Sequence, residues 1–401
     1  MRTRYRSALL AILACGVLLP AGCARFDDTA AGQTFSPAPV PSPESPPEVQ
    51  GPGADSGGGD HQVQPGQATP VPPPQGCKDF NPAVIGTCLD TVAAVAGLPG
   101  DGATPSALAG ERKSGRVLLA TAGKDATDFA KLDVQAAGDG GLTGLALSPS
   151  YVEDQLVFAY VTTATDNRVV RFAKGQPAKP VLTGIPKGAT GNRGTISADN
   201  RGALLVATGD GGNPNAATDP GSLAGKVLRI DTSGKAAAGN PNGSLVVAAG
   251  LHAPGGLCAS ADGGRVWVTD RLPDKDALYR VQAGQPLTTP AWTWPDKPGV
   301  AGCADFVEAN GSVLVGTSLA GNLQNLPVTA EGAVSGKPTV SLDGKTGKPP
   351  ETFGRLAGMS MINPQLAVAG TVNKDGGTPV SSDDRVVLIT PATSGGGNGK
   401  D

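Results

Sequence analysis

The chain has 401 residues, a formal net charge of −3, 17% charged residues and only 4% aromatic residues. This length is long for a single core unless the fold is a barrel or a repeat structure. No extended basic segment occurs, which excludes the electrostatic footprint of a nucleic-acid-binding protein. The 59 glycines indicate a fold rich in turns.

The first 22 residues have the three parts of an export signal. Three arginines at positions 2, 4 and 6 precede an apolar run at 8–19, and Pro-Ala-Gly precedes Cys23. The run is shorter than the roughly 20 residues that a membrane-spanning helix needs. A cysteine directly after Ala-Gly resembles the signal of a bacterial lipoprotein, which is cut before the lipid-bearing cysteine. We therefore expect a lipidated Cys23 that anchors the protein to the outer face of the cell membrane, in the cell envelope.

Two alternatives to this anchor stay open. One is a plain secretory signal peptide that is cleaved nearby. The other is lipidation at Cys15, which would leave an apolar region of only about eight residues.

Residues 23–76 are rich in Pro, Gly and Ser and almost free of bulky apolar side chains. Such a segment cannot bury enough surface to fold, and its prolines favour an extended spacer. We predict a disordered stalk, with a solvated His61, ahead of a folded domain at 77–391 and a disordered tail at 392–401. Loss of the three signal arginines would bring the net charge to about −6.

Four cysteines remain in the predicted folded domain, and export favours disulfides between them. Sequence alone leaves three connectivities open. We favour Cys77–Cys88 as a local clasp and Cys258–Cys303 as a bridge between two segments. A metal site is disfavoured because no Cys-x-x-Cys pair or neighbouring histidine accompanies these cysteines.

Short apolar strands recur along the domain, each preceded by Gly, Asp or Asn turn residues, and their centres lie about 40 to 60 residues apart. The six recurring strands are at residues 116–120, 155–160, 203–207, 265–269, 312–316 and 365–369. Further strands follow some of them, as at 168–172 and 226–230. This pattern predicts an all-β fold, a six-bladed β-propeller with its site around the central channel. A β-sandwich or two stacked β domains is the alternative.

Three segments carry a resemblance to a known family. They are GDGGLTGLALSP at 138–149, LLVATGDGG at 204–212 followed by DP at 219–220 and SLAGKVLRI at 222–230, and GLHAPGGL at 250–257. In order and spacing they resemble the soluble aldose/sorbosone dehydrogenase family, over residues from about 140 to 390. The stretches at 166–171 and 292–303 are also similar to a mycobacterial lipoprotein.

The resemblance implies a six-bladed propeller that uses pyrroloquinoline quinone (PQQ) and calcium to oxidise sugars. It also implies a catalytic histidine that accepts the hydroxyl proton, at a position that corresponds here to Gly191. The domain contains only one histidine, His252, where the family has an arginine that contacts the quinone. His252 is therefore the candidate base, with Asp210 and Asp270 as other possible proton acceptors.

The residues expected to line a cofactor or ligand site are Asn192, Arg193, Asp210, His252 and Arg355. Arg355 is expected to meet an anionic ligand. The loop at 210–215 offers oxygen ligands of the kind that calcium favours, but it lacks the EF-hand pattern.

Three functions are compatible with these observations. The first is a membrane-anchored propeller that binds a carbohydrate or similar small ligand without dehydrogenase turnover. The second is an active PQQ-dependent sugar dehydrogenase with a substitute base, and the third is a scaffold that docks an envelope protein. In each case we expect a monomer.

Overall fold

The computed structural model describes residues 71–100, 102–345 and 352–391, all within the compact unit Ala68–Asp401. The predicted signal peptide, Cys23, His61, the stalk up to residue 70 and the tail at 392–401 lie outside the described residues. Within the described ranges, no helix has the length and apolar character needed to cross a bilayer.

The described residues form a six-bladed β-propeller, as the repeats predict. Six antiparallel sheets of four strands each make up the ring. Blade 1 contains β2 Val92–Gly97, β3 Ser106–Glu111, β4 Arg116–Thr121 and β5 Lys124–Lys131, and blade 2 contains β6 Leu142–Leu147, β7 Val157–Thr162, β8 Asn167–Phe172 and β9 Lys179–Ile185. Blade 3 contains β10 Gly194–Ala198, β11 Leu204–Thr208, β12 Lys226–Ile230 and β13 Val246–Ala249, and blade 4 contains β14 Pro254–Ala259, β15 Val266–Arg271, β16 Asp276–Arg280 and β17 Trp292–Trp294. Blade 5 contains β18 Val300–Phe306, β19 Ser312–Thr317, β20 Leu323–Pro327 and β21 Thr339–Ser341, and blade 6 contains β22 Leu356–Asn363, β23 Leu366–Thr371, β24 Val386–Ile389 and β1 Val84–Gly86.

Helical structure in these residues is limited to short turns in the connections. They are α1 Tyr151–Asp154, α2 Pro214–Thr218, α3 Val307–Asn310 and a 3-10 turn at Pro241–Gly243.

The first strand of the chain closes the ring. β1 pairs antiparallel with β24, so the outermost strand of blade 6 comes from the start of the domain and the other three come from its end. Ion pairs among buried side chains support this closure, because Arg385 contacts Asp79 at 3.3 Å and Asp383 at 2.8 Å. The two ends of the domain are therefore joined by both strand pairing and charge.

The core consists of six apolar clusters, each between two neighbouring blades. The innermost strands come so close that backbone packs on backbone. A Cβ atom added at Gly144 of β6 would lie 2.7 Å from the backbone nitrogen of Ile196 in β10. Only glycine permits this approach, which accounts for that glycine in the segment at 138–149.

Five of the six recurring strands prove to be the second strand of their blade. The exception is 116–120, which is the third strand, β4, of blade 1. The second strand of that blade, β3 Ser106–Glu111, has the sequence SALAGE and lacks the run of large apolar residues seen in the others.

Both disulfides form in the structure. Cys77–Cys88 closes a loop that contains β1, and Cys258–Cys303 links the innermost strands β14 and β18 of blades 4 and 5.

Candidate functional site

Antiparallel pairing brings the start of the first strand of each blade beside the end of its second strand, as in the pair Gly194 and Thr208. We call this end of the channel the entry face. A cavity of about 220 Å³ opens there, and residues of all six blades line it. Residues directly before first strands and directly after second strands line it, because these positions converge on the channel axis.

Four arginines line this cavity. Arg112 follows β3, Arg193 precedes β10, Arg271 ends β15 and Arg355 precedes β22. The lining has only two carboxylates, those of Asp139 and Asp375, so the described lining residues hold an excess of positive charge.

The carboxylate of Asp375 is already shared between two cations. It contacts Arg112 at 2.9 Å and Lys113 at 3.0 Å. Arg355 donates from Nη1 to the backbone carbonyl of Asp375 at 3.0 Å, so the same residue fixes a third cation. Burial tends to raise the pKa of Asp375, but the bond from Lys113 and the charge of Arg112 lower it overall.

The carboxylate of Asp139 is committed to the loop that precedes β10. It accepts hydrogen bonds from the backbone N–H groups of Gly191 and Asn192, each at 3.1 Å, and from the Asn192 side chain at 3.3 Å. Neither carboxylate of the lining forms an ion pair with Arg193 or Arg271.

Arg193 and Arg271 lack an anionic partner among the described residues. The guanidinium of Arg193 has no hydrogen bond or ion pair within these ranges, and burial lowers its pKa despite the charge of Asp139. Arg271 donates to the carbonyls of Val300 and Gly299 at 2.8 Å and to the Ser318 hydroxyl at 2.6 Å, all neutral groups.

The pKa of Arg271 reflects the same lack of compensation. Burial lowers it to about 9, and the charge of Arg193 adds to the effect. Both side chains remain cationic at neutral pH, so two partly buried positive charges border one cavity.

The candidate base His252 lies beside this cavity without lining it. Its Nδ1 atom contacts the buried carboxylate of Asp210, and its side chain is 31% exposed. The backbone N–H groups of His252 and Ala253 donate to Asp270 at 2.9 and 2.7 Å. Burial raises the pKa of Asp270 to about 6, although these two bonds favour the charged form.

The predicted site residues therefore separate into two groups. Arg193 and Arg355 line the cavity. Asn192, Asp210 and His252 do not. Asn192 is buried and bonds to Gly188 and Asp139, so it shapes the loop.

The side-chain oxygens that were expected to bind calcium are already engaged in contacts that hold the loop at 210–215. Asp210 accepts the Gly212 N–H at 2.8 Å and contacts His252, while Asn213 accepts the Asn215 N–H at 3.2 Å as the cap of α2. Across the described ranges, no group of three or more His, Cys, Asp or Glu side chains could hold a metal ion. Calcium at this loop would have to displace existing bonds.

Two of the four arginines, Arg112 and Arg271, were missed by sequence reasoning, as were Asp139 and Asp375. Each lies in a turn or at a strand end, and only the closed ring brings these positions to one cavity. Their positions in the sequence could have identified the two arginines, since Arg112 and Arg271 lie at the ends of the second strands of their blades.

A larger cavity of about 430 Å³ lies at the opposite end of the channel. Its lining combines apolar side chains such as Met359, the Cys258–Cys303 disulfide and neutral polar side chains such as Asn200, with Glu153 as its one charged side chain. Of the two ends of the channel, only the entry face therefore brings several charged side chains together, and we take it as the candidate site.

Comparisons with known proteins agree with this architecture. The family model described as Glucose / Sorbosone dehydrogenase matches residues 94–325, more than half of the chain. The PQQ-bound aldose sugar dehydrogenase of Streptomyces coelicolor is 28% identical, with a TM-score of 0.68 over 77% of this chain and 96% of that chain. The apo-form aldose sugar dehydrogenase of Escherichia coli, at 19% identity and a TM-score of 0.62 over 77% of this chain and 99% of that chain, shares the fold.

A curated relative is aldose sugar dehydrogenase YliI of Escherichia coli strain K12, which is 25% identical over 206 residues. That alignment covers 46% of this chain and 54% of the relative, so the chain matches about half the length of this protein.

Proposed function

Because the chain belongs to the glucose/sorbosone dehydrogenase family, we propose that it is an exported, lipid-anchored protein whose propeller binds a carbohydrate or similar small ligand at the entry face, without sugar oxidation. The observation that carries this proposal is the composition of the cavity. Arginines line it, its two carboxylates are engaged, and the single histidine of the described residues is held by Asp210 outside the lining. A general base must be within reach of the proton that it removes.

The lipid anchor is supported by the sequence around Cys23, which lies outside the described residues. Two or more acyl chains hold a protein on a membrane far better than one. Cys23→Ser should shift the protein from the membrane fraction to the soluble fraction and abolish incorporation of labelled palmitate. Cys15→Ser is the matched control, and loss of labelling in that variant alone would assign the anchor to Cys15.

A second candidate function is a PQQ-dependent dehydrogenase, which the relative in its PQQ-bound form favours. The donor set fits this cofactor, because guanidiniums pair well with the carboxylates of a planar quinone. Arg112, Arg193, Arg271 and Arg355 would hold it, and the quinone would supply the acceptor for the two electrons of the sugar.

Titration of the full-length protein, purified in detergent, with PQQ in the presence and absence of calcium separates the two functions. Calorimetry reports binding, and dye reduction with a panel of neutral aldoses reports turnover. Our proposal predicts no dye reduction with any aldose, whether or not PQQ binds. Turnover that is lost in His252→Ala would instead support a dehydrogenase in which His252 is the substitute base.

A further inference from the structure

The charges of the cavity allow the ligand class to be narrowed. The carboxylate of Asp375 is engaged by Arg112 and Lys113, and that of Asp139 by the loop before β10. Neither Arg193 nor Arg271 forms an ion pair with a carboxylate of the described residues, and the charges of Asp139 and Asp276 act on both only from a distance. A buried charge is costly unless it is paired, and the protein's own residues leave these two positive charges without an ion-pair partner.

A third unsatisfied group lies in the same lining. The Oγ1 atom of Thr143 is buried and has no hydrogen-bond partner, and Thr143 borders the cavity together with Arg193 and Gly194. Buried polar atoms are nearly always bonded, and an exception indicates a missing partner. The cavity thus presents a hydroxyl and the Arg193 guanidinium without hydrogen-bond partners, and the Arg271 guanidinium with neutral partners alone.

We propose that this cavity selects a sugar-sized ligand that carries a carboxylate or phosphate group, with Arg193 and Arg271 as the residues that determine this specificity. A guanidinium forms paired hydrogen bonds with the oxygens of either group, and such charge-assisted bonds are about twice as strong as neutral ones. Arg193 makes the principal contact because it has no other bond to lose. This inference rests on the proposed ligand-binding function.

The roles of the four arginines differ. Arg112 and Arg355 are fixed by Asp375, so they shape the cavity wall. Arg271 is oriented by carbonyls and a hydroxyl, which hold the guanidinium without neutralising it. The guanidinium of Arg271 is therefore preorganised to bind an anion, which reduces the entropy cost of binding.

The test is calorimetric titration of the full-length protein with glucose 6-phosphate, glucuronate and glucose. We expect at least one of the two anionic sugars to bind about tenfold or more tightly than glucose, and the comparison between them distinguishes phosphate from carboxylate. Arg193→Gln should weaken that binding by about tenfold or more without lowering the melting temperature, because the wild-type charge has no partner in the protein. Arg201→Gln removes an exposed guanidinium that donates to the Asp262 carbonyl, and it should change the affinity by less than about twofold.

Each outcome bears on one of the two proposals. Glucose binding as tight as that of both anionic sugars would overturn the anionic ligand class but leave the binding function intact. Unchanged affinity in Arg193→Gln would overturn the role of this residue. No binding of any of the three sugars at millimolar concentration would count against both proposals.

Discussion

Asp270 is buried beneath the turn that carries His252 and accepts two backbone hydrogen bonds from it. Its neighbours include the Asp210 carboxylate, which raises the pKa of Asp270, and the His252 ring, which lowers it. Desolvation is the largest cause and brings this pKa to about 6. Protonation of one buried carboxyl is thus coupled to the turn beside the candidate site.

The stability of the protein should therefore depend on pH through Asp270. The pKa of Asp270 in the folded protein lies above the unfolded value of about 3.9. The protonated carboxyl therefore makes its full contribution to the unfolding free energy below pH 4, and this contribution is lost as the pH rises through 6. The unfolding free energy of the wild type relative to Asp270→Asn should fall by about 3 kcal/mol between pH 4 and 7. Urea unfolding at several pH values measures this difference.

The exposed carboxylate of Asp274 provides the control, because Asp274→Asn should show no comparable change over this range. An equal pH dependence in the Asp270→Asn and Asp274→Asn comparisons would contradict the assignment to the buried group.

Lys226 is the residue on which the connection between β11 and β12 depends. Its side chain is 1% exposed, and its ammonium donates to the carbonyls of Ala216, Ala217 and Ala224 at 2.7 to 2.9 Å. Thr208 accepts the Lys226 N–H and donates to the Leu223 carbonyl. The lysine of the SLAGKVLRI segment thus gives a buried turn the donors that its carbonyls require.

Lys226→Met retains the aliphatic stem but removes the three donors. We expect a loss of about 3 kcal/mol in unfolding free energy, because three buried carbonyls lose a charged partner. Chemical denaturation measures this loss, and Lys235→Met, at a position exposed on the same blade, is the comparison. A loss below about 1 kcal/mol would mean that water replaces the ammonium.

The disulfide Cys258–Cys303 joins two neighbouring blades at their innermost strands and spans 45 residues of sequence. Closing a loop of this length lowers the conformational entropy of the unfolded chain, which raises the unfolding free energy by about 4 kcal/mol. The double change Cys258→Ser and Cys303→Ser should lower the unfolding free energy by up to this amount. Calorimetric unfolding of this variant, beside Cys77→Ser with Cys88→Ser, tests whether the longer loop has the larger effect.

The whole ring depends on the joint between its first and last strands. Arg385 is buried with Asp79 and Asp383, and these side chains connect the start of the domain to blade 6. Removal of one partner leaves an uncompensated buried charge, so Arg385→Met should cost about 3 to 5 kcal/mol. The exposed pair Arg116–Asp128 is the control, and Asp128→Asn should cost less than about 1 kcal/mol in the same urea titration.

The architecture could be predicted from the sequence because it repeats. A second strand such as 203–207 is a local apolar run between turn residues, and six such units fix the number of blades. The strand at 116–120 shows the limit of this reasoning, since the pattern grouped it with five strands that prove to be second strands, although β3 occupies that place in blade 1.

The site could be predicted only in part. Arg193 and Arg355 were identified near glycine turns, whereas Arg112 and Arg271 come from blades 1 and 4 and join them only once the blades are arranged around the channel. His252 was expected near the chemistry because it lies in a glycine-bounded turn, where the family has an arginine that contacts the quinone. Its contact with Asp210 depends on how two turns pack, which no local pattern records.

The position of Cys77–Cys88 has a mechanical consequence for an anchored propeller. The closing strand β1 and Asp79 both lie between these two cysteines, which are 11 residues apart in sequence. Tension on the chain before Cys77 passes through the sulfur atoms to Cys88, and from there to Leu89, whose backbone exchanges two hydrogen bonds with Asp384. If the chain is anchored through its N-terminal segment as proposed, the segment that closes the ring carries little of this load, and we expect a pull on the anchor to leave β1 paired with β24.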